Sequence, residues 1–284
     1  MPDLTGKNVI VTGANSGIGL ETARAFAEHG AHVILAVRDP RRGTDAADHI
    51  PGSTEVRPLD LADLASVRAF ADGLEGDVDV LINNAGVMAI PERRTADGFE
   101  MQIGTNHLGH FALANLLLPR LTDRVVVVGS ASHRAGDVVL DDLLWERRKY
   151  APYAAYAASK LANMLFLAEL QRRLTAAGST LRVTGGHPGT TATHITSSTD
   201  SRAKQLVGRY GHRLVGMAPW QGALPTLYAA TMDVPGNTFL GPHGVKEMMG
   251  WPVPVGRGDK ALDPDLAKAL WTESERLSGV SFPL

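Results

Sequence analysis

One segment, Thr12-Gly13-Ala14-Asn15-Ser16-Gly17-Ile18-Gly19, lies between the apolar run Val9-Ile10-Val11 and a helical pattern from Leu20 to His29. This order of strand, glycine-rich turn and helix predicts a dinucleotide site. A helix N-terminus offers unpaired N–H groups and a positive dipole end, and glycines let the backbone approach a pyrophosphate. The spacing Gly-x-x-x-Gly-x-Gly differs from the commoner Gly-x-Gly-x-x-Gly, so the motif alone also fits a structural turn. The predicted contacts are Gly13, Asn15, Ser16, Gly17, Ile18 and Gly19.

Apolar runs typical of buried strands alternate with helical patterns as far as Gly186. Continuous hydrophobicity fits strands covered on both faces, and the rhythm predicts a parallel sheet with right-handed crossovers. The predicted fold is therefore α/β, a single doubly wound parallel sheet of the Rossmann type with helices on both faces. The predicted strands are Asn8–Thr12, His32–Val37, Glu55–Leu59, Val78–Asn83, Val125–Gly129 and Leu181–Gly185. The predicted helices lie near 17–29, 41–49, 63–75, 97–122 and 152–177.

The rhythm ends after Gly186, where a Thr-rich stretch is followed by a Pro/Gly-rich run over 235–258. Turn formers interrupt both periodic patterns there, so we interpret 187–258 as substrate-side loops and short helices. An α/β chain of 284 residues commonly forms one unit. We therefore predict one dinucleotide-binding domain over 1–284.

The composition excludes several classes of protein. Hydrophobic residues at 44% and charged residues at 20% are ordinary for a globular protein, and a net charge of −2 argues against broad attraction to nucleic acid or anionic membranes. Without cysteine there are no disulfides, thiolate nucleophiles or Cys-ligated metals. His107 and His110 share a helix face but lack further ligand candidates, so no metal is expected. Because neither a signal peptide nor a membrane-spanning run is visible, we expect a cytoplasmic protein.

The end of the second predicted strand indicates which dinucleotide binds. An acid at this place would bind a ribose 2′-hydroxyl, whereas an arginine can hold a 2′-phosphate. Val37 stands at the expected acid position and Arg38 follows it, which favours NADP(H) over NAD(H). Asp39 becomes the inspecting acid instead if this register is wrong by two residues.

Polar residues also follow the third and fourth predicted strands, at the sheet edge where open α/β folds bind ligands. Asp60 also fits a helix cap, and the asparagines also fit residues that satisfy loop backbone. The predicted cofactor contacts here are Asp60, Leu61, Asn83, Ala85 and Gly86.

A serine, a tyrosine and a lysine follow the fifth predicted strand. Ser130 comes directly after that strand, and Tyr156 and Lys160 are four residues apart at the start of a helical pattern. Residues at i and i+4 project from one face of a helix, so the phenol and the ammonium lie side by side. Asn106 falls inside an earlier helical pattern, where an amide is normally a surface residue.

Together these motifs resemble the short-chain dehydrogenase/reductase family over about residues 6–245. The elements occur in that family's order: Thr-Gly-x-x-x-Gly-x-Gly at 12–19, Asn-Asn-Ala-Gly at 83–86, Ser130 with Tyr-x-x-x-Lys at 156–160, and Pro-Gly at 188–189. Ala-Val-Arg-Asp at 36–39, Gly-Thr-Asn-His-Leu-Gly-His-Phe at 104–111 and His-Pro-Gly at 187–189 are most similar to the group that comprises retinol-dehydrogenase-like enzymes and bacterial carbonyl reductases.

The resemblance implies an oxidoreductase that transfers hydride between NAD(P) and a carbonyl carbon. Tyr156 is then the acid/base, Lys160 lowers its pKa and holds the nicotinamide ribose, and Ser130 polarises the substrate oxygen. Asn106 connects Lys160 to solvent through a water relay. Further cofactor contacts implied in this way are Tyr156, Lys160, Pro188, Gly189 and Thr193.

Two departures from the family pattern leave alternatives open. Gly129 replaces a common first serine, which makes Ser132 a rival of Ser130. Asn15-Ser16 lacks the basic residue of many NADP-using relatives, so the cofactor prediction depends on Arg38. The same motifs also occur in NADP-assisted isomerases or reductases, and a dinucleotide-binding sensor or scaffold is the non-enzymatic alternative.

The expected partner is a small-molecule carbonyl or alcohol, bulky and largely apolar. Apolar side chains on the predicted substrate side favour this, although they also fit a local core or an oligomer contact: Ile195, Met217, Trp220, Met248, Met249 and Trp251. A predicted amphipathic helix from Arg202 to Arg213 places its charges in solvent. By resemblance, helices 97–122 and 152–177 form the contacts of a homodimer or homotetramer, unless their apolar faces are buried within the monomer.

Overall fold

The computed structural model describes residues 1–190 and 217–284, and within these ranges eight strands form one sheet. Neighbouring strands follow the order β3-β2-β1-β4-β5-β6-β7-β8 and run parallel, except for the antiparallel pair β7 and β8. The predicted doubly wound α/β sheet is thus confirmed. The strands are β1 (Asn8–Thr12), β2 (His32–Val37), β3 (Ser53–Pro58), β4 (Val78–Asn83), β5 (Leu121–Val128), β6 (Arg182–Gly186), β7 (Phe239–Pro242) and β8 (Pro252–Pro254).

The helices begin at recognisable signals. Asp39, Asp63 and Asp263 each accept hydrogen bonds from backbone N–H groups of the first turn that follows them. Proline occupies the start of four helices, where its missing N–H is not needed. The α-helices of the described residues are α1 (Gly17–Glu28), α2 (Pro40–Ala47), α3 (Leu64–Asp72), α4 (Met101–Ile103), α5 (Gly109–Leu117), α6 (Pro152–Ala176), α7 (Pro219–Thr231) and α8 (Pro264–Ser278).

Side chains of alternating residues in the central strands pack on opposite faces of the sheet. Val9 and Val11 join one hydrophobic cluster with residues of α1 and α7, whereas Ile10 joins the cluster on the face covered by α3, α5, α6 and α8. Both faces are therefore buried, which explains why the strands are continuous apolar runs.

Strands β2 and β3 extend the sheet on one side of β1, and β4 and the later strands extend it on the other, so β1 pairs with both β2 and β4. Val11 lies opposite Ile82, so Thr12 and Asn83 end two adjacent strands at the same edge. In open α/β sheets this switch point is where ligands bind. The glycine-rich turn and the Asn-Asn-Ala-Gly segment consequently meet there.

The predicted helix 97–122 is not a single α-helix. The short helix α4 continues as a π-helix over Gly104–Leu108, then as α5 and a 3-10 turn over Leu118–Arg120. Strand β5 begins at Leu121 instead of Val125, because its first residues pair with β4 although they include polar side chains. The boundary therefore depends on pairing rather than on local hydrophobicity.

The prediction of only loops and short helices for 187–258 was incomplete. The described part of this segment contains β7, β8 and the 13-residue helix α7. Both strands are very short and contain prolines: β7 ends at Pro242, and the edge strand β8 begins and ends with proline. These features hide them from pattern analysis. Thr193, Ile195 and the predicted helix from Arg202 to Arg213 lie outside the described residues.

The C-terminal helix α8 covers the outer faces of α5 and α6. The Trp271 ring lies 4.8 Å from that of Phe111 and stacks on Phe166 at 5.9 Å, measured between ring centroids. The Arg173 guanidinium lies 4.4 Å from the Trp271 ring centroid. In the described ranges, no helix combines the length and apolar character that crossing a bilayer requires.

Candidate active site

The glycine-rich turn is packed tightly against the protein itself. Gly13 has φ +66°, a conformation that side chains rarely tolerate, and its N–H donates to the Ala36 carbonyl at 2.8 Å. A Cβ on Gly19 would lie 2.5 Å from the Gly13 carbonyl oxygen. The packing of the turn itself explains both glycines, and their contact with a cofactor stays a prediction.

The N-terminus of α1 differs from those of α2, α3 and α8. Its N-cap residue is Ser16, which has extended backbone but makes no side-chain capping hydrogen bond. The other three helices are capped by aspartates, whose negative charge would repel an anion. First-turn N–H groups without a side-chain acceptor fit a pyrophosphate oxygen.

The two asparagines after β4 have different surroundings. The Asn84 side chain donates to the Thr12 carbonyl at 2.8 Å and holds the turn, as the structural alternative proposed. Asn83 is 3% exposed, and neither its Oδ1 nor its Nδ2 has a hydrogen-bond partner in the protein. An orphaned buried amide costs about 1–3 kcal/mol, so a polar ligand at this edge would fit it.

The residues after β3 form a turn rather than a helix cap. The Asp60 carboxylate accepts from the Ala62 N–H at 2.9 Å, and α3 is capped by Asp63 instead. Leu61 is buried, and its carbonyl packs so closely against Gly109 that a side chain there would collide with it. One face of this turn is consequently fixed against α5.

Arg38 and Asp39 are both exposed at the end of β2. The Asp39 Oδ1 accepts from the Arg41 N–H at 3.1 Å and from the Arg42 N–H at 3.4 Å, because Asp39 is the N-cap of α2. No side-chain hydrogen bond of the described residues engages the Arg38 guanidinium.

Tyr156 and Lys160 lie on the buried face of α6. Burial raises the pKa of the Tyr156 phenol, and the neighbouring Ser130 side chain lowers it in part. The Lys160 ammonium donates to the Val128 carbonyl at 3.0 Å and lies 5.9 Å from the Tyr156 ring centroid. Burial lowers the pKa of Lys160 to about 8.

The rival serine has another partner. The Ser132 hydroxyl lies 3.1 Å from the Tyr153 hydroxyl, and the Ser132 N–H donates to Ser130 Oγ at 3.2 Å. Tyr153 is 56% exposed, whereas Tyr156 is 8% exposed. The structure therefore contains two Ser–Tyr pairs, an inner pair (Ser130 with Tyr156) and an outer pair (Ser132 with Tyr153).

Gly129 is explained by packing. A Cβ at this position would lie 2.9 Å from the Met164 Cε and 2.9 Å from two ring atoms of Phe239. A serine here would force these neighbours apart. Phe239 thus occupies the volume into which a side chain at residue 129 would extend.

Asn106 is fully buried, contrary to the expectation for an amide on a helix surface. Its Oδ1 accepts from the Val87 N–H at 2.8 Å, and its Nδ2 donates to the Val87 carbonyl and to Ser159 Oγ, both at 2.9 Å. Ser159 in turn donates to the Tyr156 carbonyl at 2.7 Å. A Cβ on Gly86 would lie 3.1 Å from the Asn106 Oδ1 and 3.9 Å from the Lys160 Nζ, so all these groups adjoin.

The Pro188-Gly189 turn meets the segment around Met248, which was predicted to lie on the substrate side. Gly189 has φ +65°, and a side chain on it would collide with the Met248 carbonyl. The His187 imidazole lies 2.8 Å from a Glu247 carboxylate oxygen, and Arg134 donates to the same carboxylate. Sequence reasoning missed Arg134 and Glu247, because no local pattern links positions so distant along the chain.

The predicted substrate-side residues are mostly at the surface. Met217 is buried. Trp220, Met248, Met249 and Trp251 are exposed among the described residues, which does not fit a local core. In residues 1–190 and 217–284 no group of three or more His, Asp or Glu side chains is arranged to hold a metal.

Comparisons with known proteins agree with this geometry. A family model described as short chain dehydrogenase matches residues 7–204. Retinol dehydrogenase 13 of Homo sapiens is 43% identical over 300 residues, covering 99% of this chain and 87% of the relative. Polyprenol dehydrogenase of Mus musculus is 40% identical over 301 residues, covering 98% and 86%. A crystal structure of an uncharacterized protein from Mycobacterium Paratuberculosis has a TM-score of 0.88 at 53% identity, covering 100% of this chain and 97% of that one.

Proposed function

This chain belongs to the short chain dehydrogenase family and is an NAD(P)-dependent dehydrogenase/reductase, and on that premise we propose that it uses NADP(H) to interconvert a bulky apolar alcohol with its ketone or aldehyde. The observation that carries the proposal is the buried inner pair beside Lys160. A sensor or scaffold would have no use for a buried lysine next to a buried tyrosine, since both cost stability. The decisive experiment is carbonyl-dependent oxidation of NADPH with identification of the product, which also separates this reaction from an isomerisation.

Tyr156 exchanges a proton with the substrate oxygen. The bound nicotinamide supplies or takes up the hydride, and the protein provides orientation and one proton. A phenol with a raised pKa suits proton donation during reduction, whereas oxidation requires phenolate. The Lys160 ammonium favours that phenolate, and the Ser130 hydroxyl can donate to the same substrate oxygen.

Asn106 and the edge residues hold these groups in place. The Asn106 side chain joins the Val87 backbone to Ser159 on α6, next to Lys160. We propose that Asn83 and the first turn of α1 bind the diphosphate end of the cofactor, supported by the unpaired amide and the uncapped helix. Gly13, Asn15, Ser16, Ile18, Asp60, Leu61, Ala85, Gly86 and Pro188 remain predicted contacts.

The preference for NADP(H) is supported by the different hydrogen bonding of the Arg38 and Asp39 side chains. One Asp39 oxygen already accepts two backbone N–H groups, while Arg38 is exposed at the strand end. A charge-assisted hydrogen bond contributes roughly 1.5–3 kcal/mol, so NADPH should bind about ten- to a hundredfold more tightly than NADH.

Arg38→Ala tests this preference when dissociation constants of both cofactors are measured. We expect most of the difference to disappear through weaker NADPH binding, while Arg57→Ala, at the next strand end, leaves it in place. Equal dissociation constants in the unchanged protein would show that Asp39 inspects the ribose.

A bulky apolar substrate is supported by the names of two relatives, a retinol and a polyprenol dehydrogenase. It is further supported by the exposed Met248, Met249 and Trp251, which belong to the segment in contact with Gly189. Each buried methylene contributes about 0.8 kcal/mol, so kcat/KM should rise along a series of longer aliphatic aldehydes. A maximum at a small or charged carbonyl would contradict this substrate class.

The helix α8 covers surfaces that were expected to mediate self-association. Because Trp271 packs on Phe111 and Phe166, the faces of α5 and α6 that were expected to form a dimer are covered by the same chain. We propose that these faces do not mediate self-association, which light scattering of the purified protein tests. The cytoplasmic location stays a prediction.

A further inference from the structure

A buried histidine joins the glycine-rich turn to Asn106. His110 is 3% exposed and lies on α5. Its Nδ1 is 3.0 Å from the Asn106 main-chain carbonyl oxygen, and its Nε2 is 2.9 Å from Thr12 Oγ1. None of the roles assigned above uses this imidazole.

The positions of the protons follow from the partners. A carbonyl oxygen can only accept, so Nδ1 carries the hydrogen and Nε2 of the neutral ring is an acceptor. The Thr12 hydroxyl therefore donates to Nε2 at 2.9 Å, which is nearer than the Ile82 carbonyl oxygen at 3.3 Å. Its oxygen accepts from the N–H groups of Asn84 and Ala85, both at 2.9 Å. Burial, with a smaller contribution from the Lys160 charge, lowers the pKa of His110 to about 4, which keeps the ring neutral at pH 7.

Both ends of this chain of hydrogen bonds lie in the machinery of the proposed function. At one end, the Thr12 hydroxyl accepts hydrogen bonds from the Asn84 and Ala85 N–H groups, and the Thr12 carbonyl accepts one from the Asn84 side chain. At the other end, Asn106 lies in the π-helix Gly104–Leu108, a rare helix form that is frequent at functional sites. An imidazole bonded to the Asn106 carbonyl restricts that residue.

We propose that His110 is a positioning residue that holds Asn106 in register with the dinucleotide turn through Thr12. The inference rests on the proposed function, because Asn106 matters only if it serves the Tyr156–Lys160 site. It assigns a role to the second histidine of the His107/His110 pair in place of the metal site that was considered for them.

Two substitutions at His110 remove one hydrogen bond each. His110→Asn keeps an N–H at the place of Nδ1, and Asn115 on the same helix already donates in this way to the Phe111 carbonyl at 2.9 Å. His110→Gln keeps an acceptor near Thr12 but loses the bond to Asn106. The measurement is the pH profile of kcat for NADPH-dependent carbonyl reduction, together with the melting temperature.

We expect His110→Asn, which keeps the bond to Asn106 but breaks the link to Thr12, to lose about three- to tenfold in kcat. We expect His110→Gln to lose about tenfold or more in kcat and to shift the apparent pKa of the profile. His107→Asn is the matched control: His107 is equally buried but its Nε2 faces Ser274 Oγ at 2.8 Å, away from the site. It should lower the melting temperature and leave the profile unchanged.

The opposing results are distinct. If both His110 variants behave like His107→Asn, the positioning role is wrong although the proposed function stands. If Tyr156→Phe retains full activity, the proposed function is wrong irrespective of His110. Should neither His110 variant fold, Thr12→Ser and Thr12→Val take their place, and equal kcat for these two overturns the inference.

Discussion

The inner and outer Ser–Tyr pairs contain the same chemical groups one helical turn apart. Both connect the segment after β5 to α6, and in both a serine hydroxyl adjoins a phenol. Tyr156 is nearly inaccessible and has the Lys160 ammonium beside it, whereas the Tyr153 ring extends into solvent. A hydroxyl pair alone therefore does not define an acid/base; burial next to a cation does.

The largest difference between the pairs is expected for removal of the phenol hydroxyls. Tyr156→Phe should reduce kcat by about 10²–10⁴ or more while NADPH binding and folding persist, because general acid–base assistance and stabilisation of the substrate oxyanion are both lost. Tyr153→Phe removes the same atom and should change kcat less than threefold. Steady-state kinetics with one aldehyde suffices, and more than a tenth of normal kcat in Tyr156→Phe contradicts the assignment.

The serines should differ by a smaller factor. Ser130→Ala removes a donor to the substrate oxygen and should cost about 10²–10³ in kcat, the usual effect of losing one oxyanion donor. Ser132→Ala should cost little, since its hydroxyl faces Tyr153. Comparable losses in the two variants would mean that Ser132 shares the catalytic work and that the two pairs act as one unit.

The distinction between the pairs also marks the limit of sequence reasoning. Motif spacing located Ser130, Tyr156 and Lys160, because i to i+4 geometry and strand ends are local properties. It left Ser132 as a rival, because the choice depends on which tyrosine each hydroxyl meets across the segment from residue 132 to 153. The packing of Phe239 against Gly129, which excludes a serine there, lies still further away along the chain.

The elements of the fold likewise could be predicted where they depend on local sequence and not where they depend on contacts between distant residues. Strands β1, β2 and β4 matched their predicted bounds, because each is a continuous apolar run between turns. β7 and β8 were missed, because β7 extends the sheet beside β6 through two pairs and β8 is a proline-bounded edge strand. Asn106 is buried within a π-helix, a form that hydrophobic periodicity does not predict.

The buried Lys160 beside the inner pair should make the free energy of unfolding of the protein depend on pH. Its pKa is lowered from 10.5 to about 8 by burial, so the folded protein releases this proton before the unfolded chain does. Between about pH 8 and 10.5 the unfolded state binds more protons, so the contribution of Lys160 to the free energy of unfolding rises with pH. This contribution is lost as the pH falls through 8.

Lys160→Met tests that sign. At pH 7 the variant should be more stable than the unchanged protein by up to about 3 kcal/mol, and the gain should vanish above pH 10.5. Urea unfolding at pH 7 and at a pH above 10.5 measures it, with the exposed Lys149→Met as the control. A gain that does not depend on pH would mean that Lys160 is not desolvated.

The smallest expected effect concerns the outer pair and is a coupling energy. A hydrogen bond between two hydroxyls at an exposed site exchanges for bonds to water, so its net contribution should be below about 1 kcal/mol. A double-mutant cycle of Ser132→Ala and Tyr153→Phe, followed by urea unfolding, isolates this coupling energy because each substitution removes one partner.

The Tyr153 ring itself is tested by Tyr153→Ala. This substitution removes an exposed ring whose centroid lies 6.4 Å from that of the Tyr156 ring. A bulky apolar substrate passing that ring should therefore show a raised KM in Tyr153→Ala with kcat nearly unchanged, while Tyr153→Phe restores the normal KM. A loss of kcat in both variants would instead show that the outer phenol hydroxyl takes part in the reaction, and the contrast between the two pairs would fail.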